Sequence, residues 1–320
     1  MEFLYFLEGL RNPVLDAFFS VITHLGEETF FLGLAILFFW CVNKREGYYI
    51  LIVGLVGTVA NQIMKLACKV PRPWVRDPSF TIVESARAEA TGYSFPSGHT
   101  QNIAGTFGSI ARYSKRNFVR VGSIVLIVLV ALSRMYLGVH TPWDVIVSLC
   151  IAAALTLLLY PIFKDDESFE RCMPYVVIGS SVLSVIFLCY TLFIPMEGMD
   201  AHNLASGMKN AFTLLGCTVG LVVVYMIDTR YIRFETEAPW YAQIIKLAVG
   251  LAIVFAIKAG LSSPLTLLFG NEYIARSVRY FLIVVFAGAI WPISFKYFAR
   301  MRISALDSFT EKLVSRFSKK

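Results

Sequence analysis

The chain is 320 residues long, and its composition is unusual for a water-soluble protein. Hydrophobic residues make up 57% of it and charged residues only 16%. Soluble domains carry about a quarter charged residues, so these values exclude that class. The net charge of +7 does not indicate nucleic-acid binding, because Lys and Arg lie in short segments between apolar runs. The composition therefore predicts an integral membrane protein with no nucleic-acid partner.

The N-terminal segment, residues 1–27, has an interrupted apolar pattern. Within Met1–Gly26, four charged residues break it: Glu2, Glu8, Arg11 and Asp16. A signal peptide has a continuous apolar core, so this pattern favours an amphipathic segment that lies at the membrane surface.

Nine apolar segments follow, and most are long enough to cross the hydrocarbon core of a bilayer. They lie at 28–43, 47–68, 98–113, 118–137, 143–163, 173–194, 208–227, 241–261 and 277–298. The weakest is 98–113, which is short and contains small residues that suit a helix packed inside a bundle. The prediction is an all-α polytopic membrane bundle of about nine transmembrane helices. Its two parts are a core at 28–165 and accessory helices with a basic tail at 166–320.

Alternation of these segments places the connections on two sides of the membrane, and one side is basic throughout. Its Lys and Arg residues are Lys44, Arg45, Arg112, Lys115, Arg116, Arg120, Lys164, Arg171, Arg230, Arg233, Lys296, Arg300, Arg302, Lys312, Arg316, Lys319 and Lys320. The positive-inside rule places this side, with the C-terminus, in the cytoplasm. The membrane is then predicted to be the plasma membrane. The N-terminal segment and the long loop 69–97 are then expected on the extracytoplasmic side.

Three polar clusters lie at helix ends on that extracytoplasmic side. In chain order they are Lys65 with Arg72, then Ser97, Gly98 and His99, then Arg134, His140 and Asp144. The clusters are far apart in the chain, but the ends of helices in a compact bundle can meet. The alternation therefore predicts one site built from all three.

The residue types in these clusters suit a phosphate ester. Lys65, Arg72 and Arg134 supply cations, and an Arg fork can bind two phosphate oxygens at once. Ser97 and Gly98 stand where a helix should begin, so free backbone N–H groups there can point at a bound anion. The side chain of Ser97 can either cap that helix or bond a phosphate oxygen.

Transfer of a phosphoryl group also needs a nucleophile and a proton donor. His140 is the predicted nucleophile, and Asp144 follows at i+4, where its carboxylate can fix the tautomer of the imidazole. His99 is the predicted acid for the leaving oxygen, and then the base for water. A metal site built from the same residues is disfavoured, because the nearby cations would repel a metal ion.

The three clusters resemble the signature of the type 2 phosphatidic acid phosphatase superfamily. The motifs are Lys-x6-Arg-Pro, Pro-Ser-Gly-His and Ser-Arg-x5-His-x3-Asp, and the resemblance covers residues 28–163. It implies that the core is a metal-independent phosphatase with no cofactor. By this resemblance the phosphate-binding residues are Lys65, Arg72, Ser97, Gly98 and Arg134, and the catalytic residues are His140, His99 and Asp144.

The substrate stays open at this stage. A site at the outer interface favours a lipid phosphate: phosphatidic acid, phosphatidylglycerol phosphate, a polyprenyl (pyro)phosphate or a phosphorylated sphingoid base. The same chemistry suits a sugar phosphate such as glucose 6-phosphate, and a lipid-phosphate transporter is a third alternative. Residues 173–320 carry no recognised motif; these helices could shield a lipid tail, complete the bundle or form a homodimer.

Other polar residues in the apolar segments have simpler interpretations. Lys258 is expected to extend its ammonium to the interface. Asn61 and Gln62 are expected to form hydrogen bonds between helices. His24 and His202 are assigned no role.

Overall fold

The protein is an all-α bundle in a computed structural model that describes residues 1–194, 199–304 and 306. The helices are α1 (Glu2–Gly9), α2 (Pro13–Thr23), α3 (Glu28–Leu37), α4 (Lys44–Cys68), α5 (Pro73–Arg76), α6 (Gly98–Tyr113), α7 (Asn117–Tyr136), α8 (Pro142–Phe163), α9 (Asp166–Phe193), α10 (Ala201–Ile227), α11 (Trp240–Gly260), α12 (Ser262–Phe269), α13 (Glu272–Val285) and α14 (Phe295–Ala299). Single π-helical turns extend α3, α10 and α13 at their C-terminal ends. The predicted tail residues Lys312, Arg316, Lys319 and Lys320 lie outside the described residues.

Side-chain caps fix the start of the two helices that carry site residues at their N-termini. Ser97 caps α6, where its Oγ accepts from the backbone N–H of Thr100. Thr141 caps α8 in a reciprocal capping box with Asp144, and Pro142 occupies the first turn, where a missing N–H costs nothing. These local signals determine where both helices begin, and so where their first side chains stand.

Seven helices in the described part of the chain are long and apolar enough to cross a membrane, and an eighth counts if α2 and α3 form one span bent by 53°. The predicted count of nine is therefore not confirmed. When α2 and α3 are counted as one span, the difference is α6, which has 16 residues. At 1.5 Å per residue it is about 24 Å long, shorter than the ~30 Å hydrocarbon core.

Although it is short, α6 lies inside the bundle core. It packs against α4, α7 and α8. Its first residues contact the start of α8, because the N–H of Ser97 donates to the carbonyl oxygen of Asp144 at 3.0 Å. At its other end Arg112 lies over the ring of Tyr160, 3.8 Å from the ring centroid. The polar sequence of α6 is thus explained by burial among other helices.

Two ends of the bundle can be distinguished by their contacts. We call the end with the C-terminus of α4 and the N-termini of α6 and α8 the upper end. At the opposite, lower end Lys44 forms a salt bridge with Asp228 at 2.8 Å, and Arg45 forms one with Asp166 at 3.2 Å. The connections that contain Lys44 and Arg45, Asp166 and Asp228 therefore meet at the lower end.

Helices α1 and α2 pack against α7. Arg11 between them donates to the carbonyl oxygens of Tyr136 at 3.1 Å and Thr81 at 2.9 Å. The hydroxyl of Tyr136 donates to Asp16 at 2.7 Å. Two of the charged residues that interrupt the N-terminal segment, Arg11 and Asp16, thus attach it to α7 and to the loop 69–97.

The helices after residue 200 pack directly on the core. α10 contacts α4, α9 and α13, and α11 packs against α13. The tightest approach is at Gly216 of α10, where an added Cβ would overlap the backbone carbonyl of Ser277 in α13. The two predicted helix sets therefore form one continuous bundle.

Candidate active site

The predicted site residues converge on one cavity at the upper end. It has a volume of about 300 Å³ and is bounded by α3, α4, α6, α7, α10 and the loop 69–97. Six of the predicted residues line it: Lys65, Arg72, Gly98, His99, Arg134 and His140. The other two, Ser97 and Asp144, are buried beside this lining. The fold thus brings all three sequence clusters together.

Lys65 is buried one turn before the end of α4. Its Nζ donates to the carbonyl oxygens of Tyr93 at 2.5 Å and Ser94 at 3.3 Å. An ammonium has three N–H donors, so one is left for an anion in the cavity. The same bonds tie the end of the long loop to α4.

Arg72 is held by carbonyl oxygens from two segments. Its Nε donates to Gly92 at 3.1 Å and its Nη2 to Thr91 at 2.7 Å. Its Nη1 donates to the carbonyl oxygen of Val139 at 3.0 Å and lies 2.9 Å from Nε2 of His140. The guanidinium is therefore fixed directly in front of the imidazole.

This contact determines the tautomer of His140. A guanidinium only donates, so Nε2 of the ring must accept, and the ring proton is on Nδ1. Nδ1 faces Oδ2 of Asp144 at 3.3 Å. Two further donors fix that oxygen, the hydroxyl of Ser94 at 2.6 Å and the backbone N–H of Thr141 at 2.8 Å. The Nε2 lone pair is consequently directed toward the cations of the cavity.

Burial keeps the His140 ring neutral. The residue is only 1% exposed. Burial, followed by the neighbouring Arg72 charge, lowers the pKa of His140 well below its usual range, although Asp144 acts in the opposite direction. At neutral pH the imidazole thus presents an unprotonated nitrogen, which is the nucleophilic form of the ring.

Arg134 is fully buried in the last turn of α7. Its Nη1 donates to the hydroxyl of Thr23 at 2.6 Å, while Nε and Nη2 have no partner among the described residues. Buried donors of a charged group are costly to leave unpaired. An anion in the cavity would satisfy them.

The second cluster combines a cap with two residues of the cavity wall. The Oγ of Ser97 accepts from the N–H of Thr100 at 3.4 Å and from its hydroxyl at 2.9 Å, so this side chain caps α6. A direct bond from Ser97 to phosphate stays a prediction. Gly98 lines the cavity, and an added Cβ there would meet no atom within 4 Å. His99 lines it too, and its buried Nε2 has no partner among the described residues.

Sequence reasoning missed the carboxyl and amide groups on the same wall. These are Glu27, Glu28, Glu89, Gln101, Asn102 and Asn210. They come from separate helices and a loop, so no spacing connects them. The sequence does contain one signal for a polar cavity wall. On α4, Thr58, Asn61, Gln62 and Lys65 recur at helical spacing within an otherwise apolar span.

The predicted interhelical hydrogen bonding of Asn61 is not found. Neither its Oδ1 nor its Nδ2 has a partner among the described residues, and the same is true of the side-chain amide of Gln101. Both residues line the cavity. Their polar atoms are therefore available to a bound molecule, which is a different role from the predicted one.

The fold and this cavity define an all-α integral membrane protein with a buried site that suits an anion. Residues 45–168 match the PAP2 superfamily model. Residues 212–303 match a second model, the transmembrane extension of PAP2 superfamily phosphatases. The chain belongs to the PAP2 superfamily. No solved structure matches it significantly.

Three curated relatives show the range of similar proteins. Phosphatidylglycerophosphatase B of Bacillus subtilis is 31% identical over 51% of this chain and 80% of its own length. The probable sphingosine-1-phosphate phosphatase of Dictyostelium discoideum is 31% identical over 46% of this chain and 38% of its own. Human sphingosine-1-phosphate phosphatase 2 is 28% identical over 68% of this chain and 54% of its own. The chain thus spans about half or less of these two eukaryotic relatives.

Proposed function

We propose that the protein is a membrane phosphatase that hydrolyses a phosphate monoester or pyrophosphate of a lipid through a phosphohistidine intermediate. One observation carries the proposal: a single cavity holds three buried cations, the neutral His140 with its Asp144 partner, and the unpaired Nε2 of His99. Membership of the superfamily supports the phosphatase activity. The names of the relatives support a lipid substrate, without selecting among the candidates.

In the first step the substrate phosphate takes the place of Nε2 as the partner of Arg72. Lys65 and Arg134 bind its remaining oxygens and neutralise the charge that spreads over them in the transition state. The Nε2 lone pair of His140 forms a bond to phosphorus as the phosphorus–oxygen bond to the leaving group breaks. His99, which the bound phosphate dianion holds in its imidazolium form, gives one proton to the leaving oxygen, and Asp144 stabilises the positive charge on the modified ring.

In the second step His99 removes a proton from water, and the water oxygen attacks phosphorus. The bond between phosphorus and Nε2 breaks, and its electron pair returns to His140. Inorganic phosphate leaves, and both histidines recover their first protonation states. No metal ion takes part in this scheme, so turnover should persist in the presence of a chelator.

The test is to trap the covalent intermediate. Purified protein is mixed with a ³²P-labelled lipid phosphate and quenched at alkaline pH, where phosphohistidine survives. Label on the protein, lost in His140→Ala with the fold retained, is the expected result. Binding of the ester without turnover or label would instead favour the transporter alternative. If only water-soluble esters such as glucose 6-phosphate are hydrolysed, the sugar phosphatase alternative replaces the lipid one.

We also propose that the upper end faces the extracytoplasmic side of a plasma membrane. The salt-bridged Lys44 and Arg45 are at the lower end, together with most of the basic connections. By the positive-inside rule that end, and with it the C-terminus, is cytoplasmic. A lipid headgroup in the outer leaflet would then reach the cavity while its tail stays in hydrocarbon.

A further inference from the structure

We propose that the hydrocarbon chain of the substrate lies in an apolar channel between the core helices and the C-terminal helices. This inference rests on the function proposed above and extends it from the phosphate to the rest of the ester. The channel has a volume of about 210 Å³ and is bounded by α3, α4, α10, α11 and α13. It therefore lies where the two parts of the superfamily match meet.

The channel adjoins the phosphate cavity. Glu28 and Thr29, in the first turn of α3, line both spaces. A molecule whose phosphate is bound by Lys65 and Arg134 could thus extend past α3 into the channel without crossing bulk water. This shared wall indicates the occupant, because a group that passes from the cavity into the channel is attached to whatever the cations hold.

Along each wall, polar residues near the upper end give way to apolar residues below. On α4, Thr58 of the cavity is followed by Leu55 and Leu51 of the channel, and on α10, Asn210 is followed by Cys217, Leu221 and Val224. On α11 the order is Lys258, Phe255, Val254 and Leu251. Such a gradient suits an amphiphile, which has one charged end and one apolar end.

The depth of the channel matches one leaflet. On the α3 side it runs from Glu28 to Phe39, eleven residues further on (39 − 28). At 1.5 Å per residue this is about 16 Å, roughly half of the ~30 Å hydrocarbon core. A chain that normally fills one leaflet would therefore fit the length of the channel.

The deep part of the channel is lined by apolar side chains. Phe39, Leu55, Leu221, Val224 and Val254 line it, and each is less than 10% exposed. Every CH₂ group moved from water into such a wall is favourable, by an amount that corresponds to about a three- to fourfold gain in binding. The channel should thus select long-chain esters over short ones.

Gly33 offers a way to block the channel. It lies on the wall contributed by α3, and an added Cβ would meet no atom within 4 Å. A leucine there would project into the empty space without a backbone clash. Gly179 of α9 is the matched control, since it is also helical and open but does not line the channel.

The experiment uses the full chain in detergent micelles and a series of monoalkyl phosphates from four to eighteen carbons. In the natural protein kcat/KM should rise with chain length and then level off. Gly33→Leu should lower the ratio of kcat/KM for the longest ester to that for the shortest by about tenfold or more, since two or more CH₂ groups lose their place. Gly179→Leu should leave this ratio unchanged.

The proposal is wrong if Gly33→Leu keeps the natural chain-length profile, or if both variants change it equally. Leu251→Phe, which narrows the channel from the α11 side, is an independent second test and should lower the same ratio of kcat/KM values. These outcomes differ from failure of the proposed function, in which the natural protein would hydrolyse no ester of the series. If kcat/KM does not depend on chain length, the proposed phosphatase activity stands and only the proposed channel is wrong.

Discussion

Oδ2 of Asp144 accepts from Ser94, Thr141 and His140, and this makes the carboxylate the main determinant of the imidazole orientation. Asp144→Asn keeps the size of the side chain but offers an amide where the ring N–H needs an acceptor. The imidazole can then turn or change tautomer, so the Nε2 lone pair is lost from the reacting position. We expect kcat to fall by about two to four orders of magnitude, as for the equivalent change in a Ser-His-Asp triad.

The measurement is steady-state hydrolysis of a lipid phosphate, with the thermal unfolding midpoint recorded in parallel. Asp200→Asn is the matched control, because Asp200 caps α10 at the same end of the bundle and asparagine caps equally well. A kcat for Asp144→Asn close to that of the control would contradict the assigned role of Asp144.

Arg134 should matter for its geometry as well as its charge. Its two unpaired donors, Nε and Nη2, form a fork that a lysine cannot reproduce. Hydrogen bonds to charged groups contribute about 1.5–3 kcal/mol each. Arg134→Lys should therefore lower kcat/KM by about tenfold or more, and Arg134→Ala should lower it further.

The control for this change is Arg120→Lys. Arg120 bonds the carbonyl oxygen of Ser114 at the lower end and lies outside the cavity lining. Hydrolysis by Arg134→Lys at the rate of the natural protein would show that phosphate does not reach this guanidinium.

At this scale the sequence predicts which residues meet, because the three motifs carry their own spacing. It does not predict their partners. The approach of Arg72 to His140 depends on the loop 69–97, whose path no periodicity fixes. The sequence also does not show that Asn61 and Gln101 line the cavity. A polar residue in an apolar segment looks the same whether it faces a cavity or another helix.

Among the helices, the contact between α10 and α13 depends on small residues. Gly216 and Gly220 are spaced as Gly-x3-Gly, a pattern that lets two membrane helices approach closely. Gly216 meets the backbone of Ser277, and a Cβ on Gly220 would lie 3.0 Å from Cβ of Val284. The sequence contains this signal, but it does not reveal which helix would be the partner.

Gly216→Val should therefore loosen the bundle. A backbone carbonyl cannot move aside as a flexible side chain can, so α10 and α13 must separate. Overpacking of this kind costs about 1–3 kcal/mol. We expect the midpoint of thermal unfolding in detergent to fall by about 3 °C or more.

Gly179→Val is the control for general effects of a β-branched residue in a helix, since a Cβ at Gly179 meets no atom within 4 Å. Equal midpoints for the two variants would mean that α10 and α13 are not in close contact.

Packing among helices also explains why α6 was counted as a membrane span from its sequence but does not qualify as one by length and hydropathy. α6 is too short and too polar to qualify as a span, yet it lies between α4, α7 and α8. Its environment is protein instead of lipid, and its small residues follow from that. A count of apolar segments depends on lipid exposure, so it is least reliable for the helix that carries His99.

For the whole molecule, alternation of segments predicts which connections share an end, because each helix reverses the direction of the chain. The association of the C-terminal helices with the core was not predictable in the same way. It depends on contacts between distant residues, such as the hydrogen bond from Trp40 to the carbonyl oxygen of Ala287 at 2.8 Å. No motif in either segment marks that pairing.

The orientation of the bundle in the membrane can be tested with cysteines. Cys68 ends α4 at the upper end and is exposed. Lys115 is exposed in the connection between α6 and α7, at the lower end. One variant keeps Cys68 as its single cysteine, and a second carries Lys115→Cys with all six natural cysteines replaced by serine. Intact cells that express each variant are treated with a membrane-impermeant maleimide.

Because the positive-inside rule places the lower end in the cytoplasm, only the variant that keeps Cys68 should react in intact cells, and both should react after permeabilisation. The permeabilised sample is the control for reactivity of each thiol. The reverse pattern would place the cavity on the cytoplasmic side. It would leave the chemistry of His140 and Asp144 unaffected, since their contacts lie within the bundle, but it would move the substrate pool to the inner leaflet.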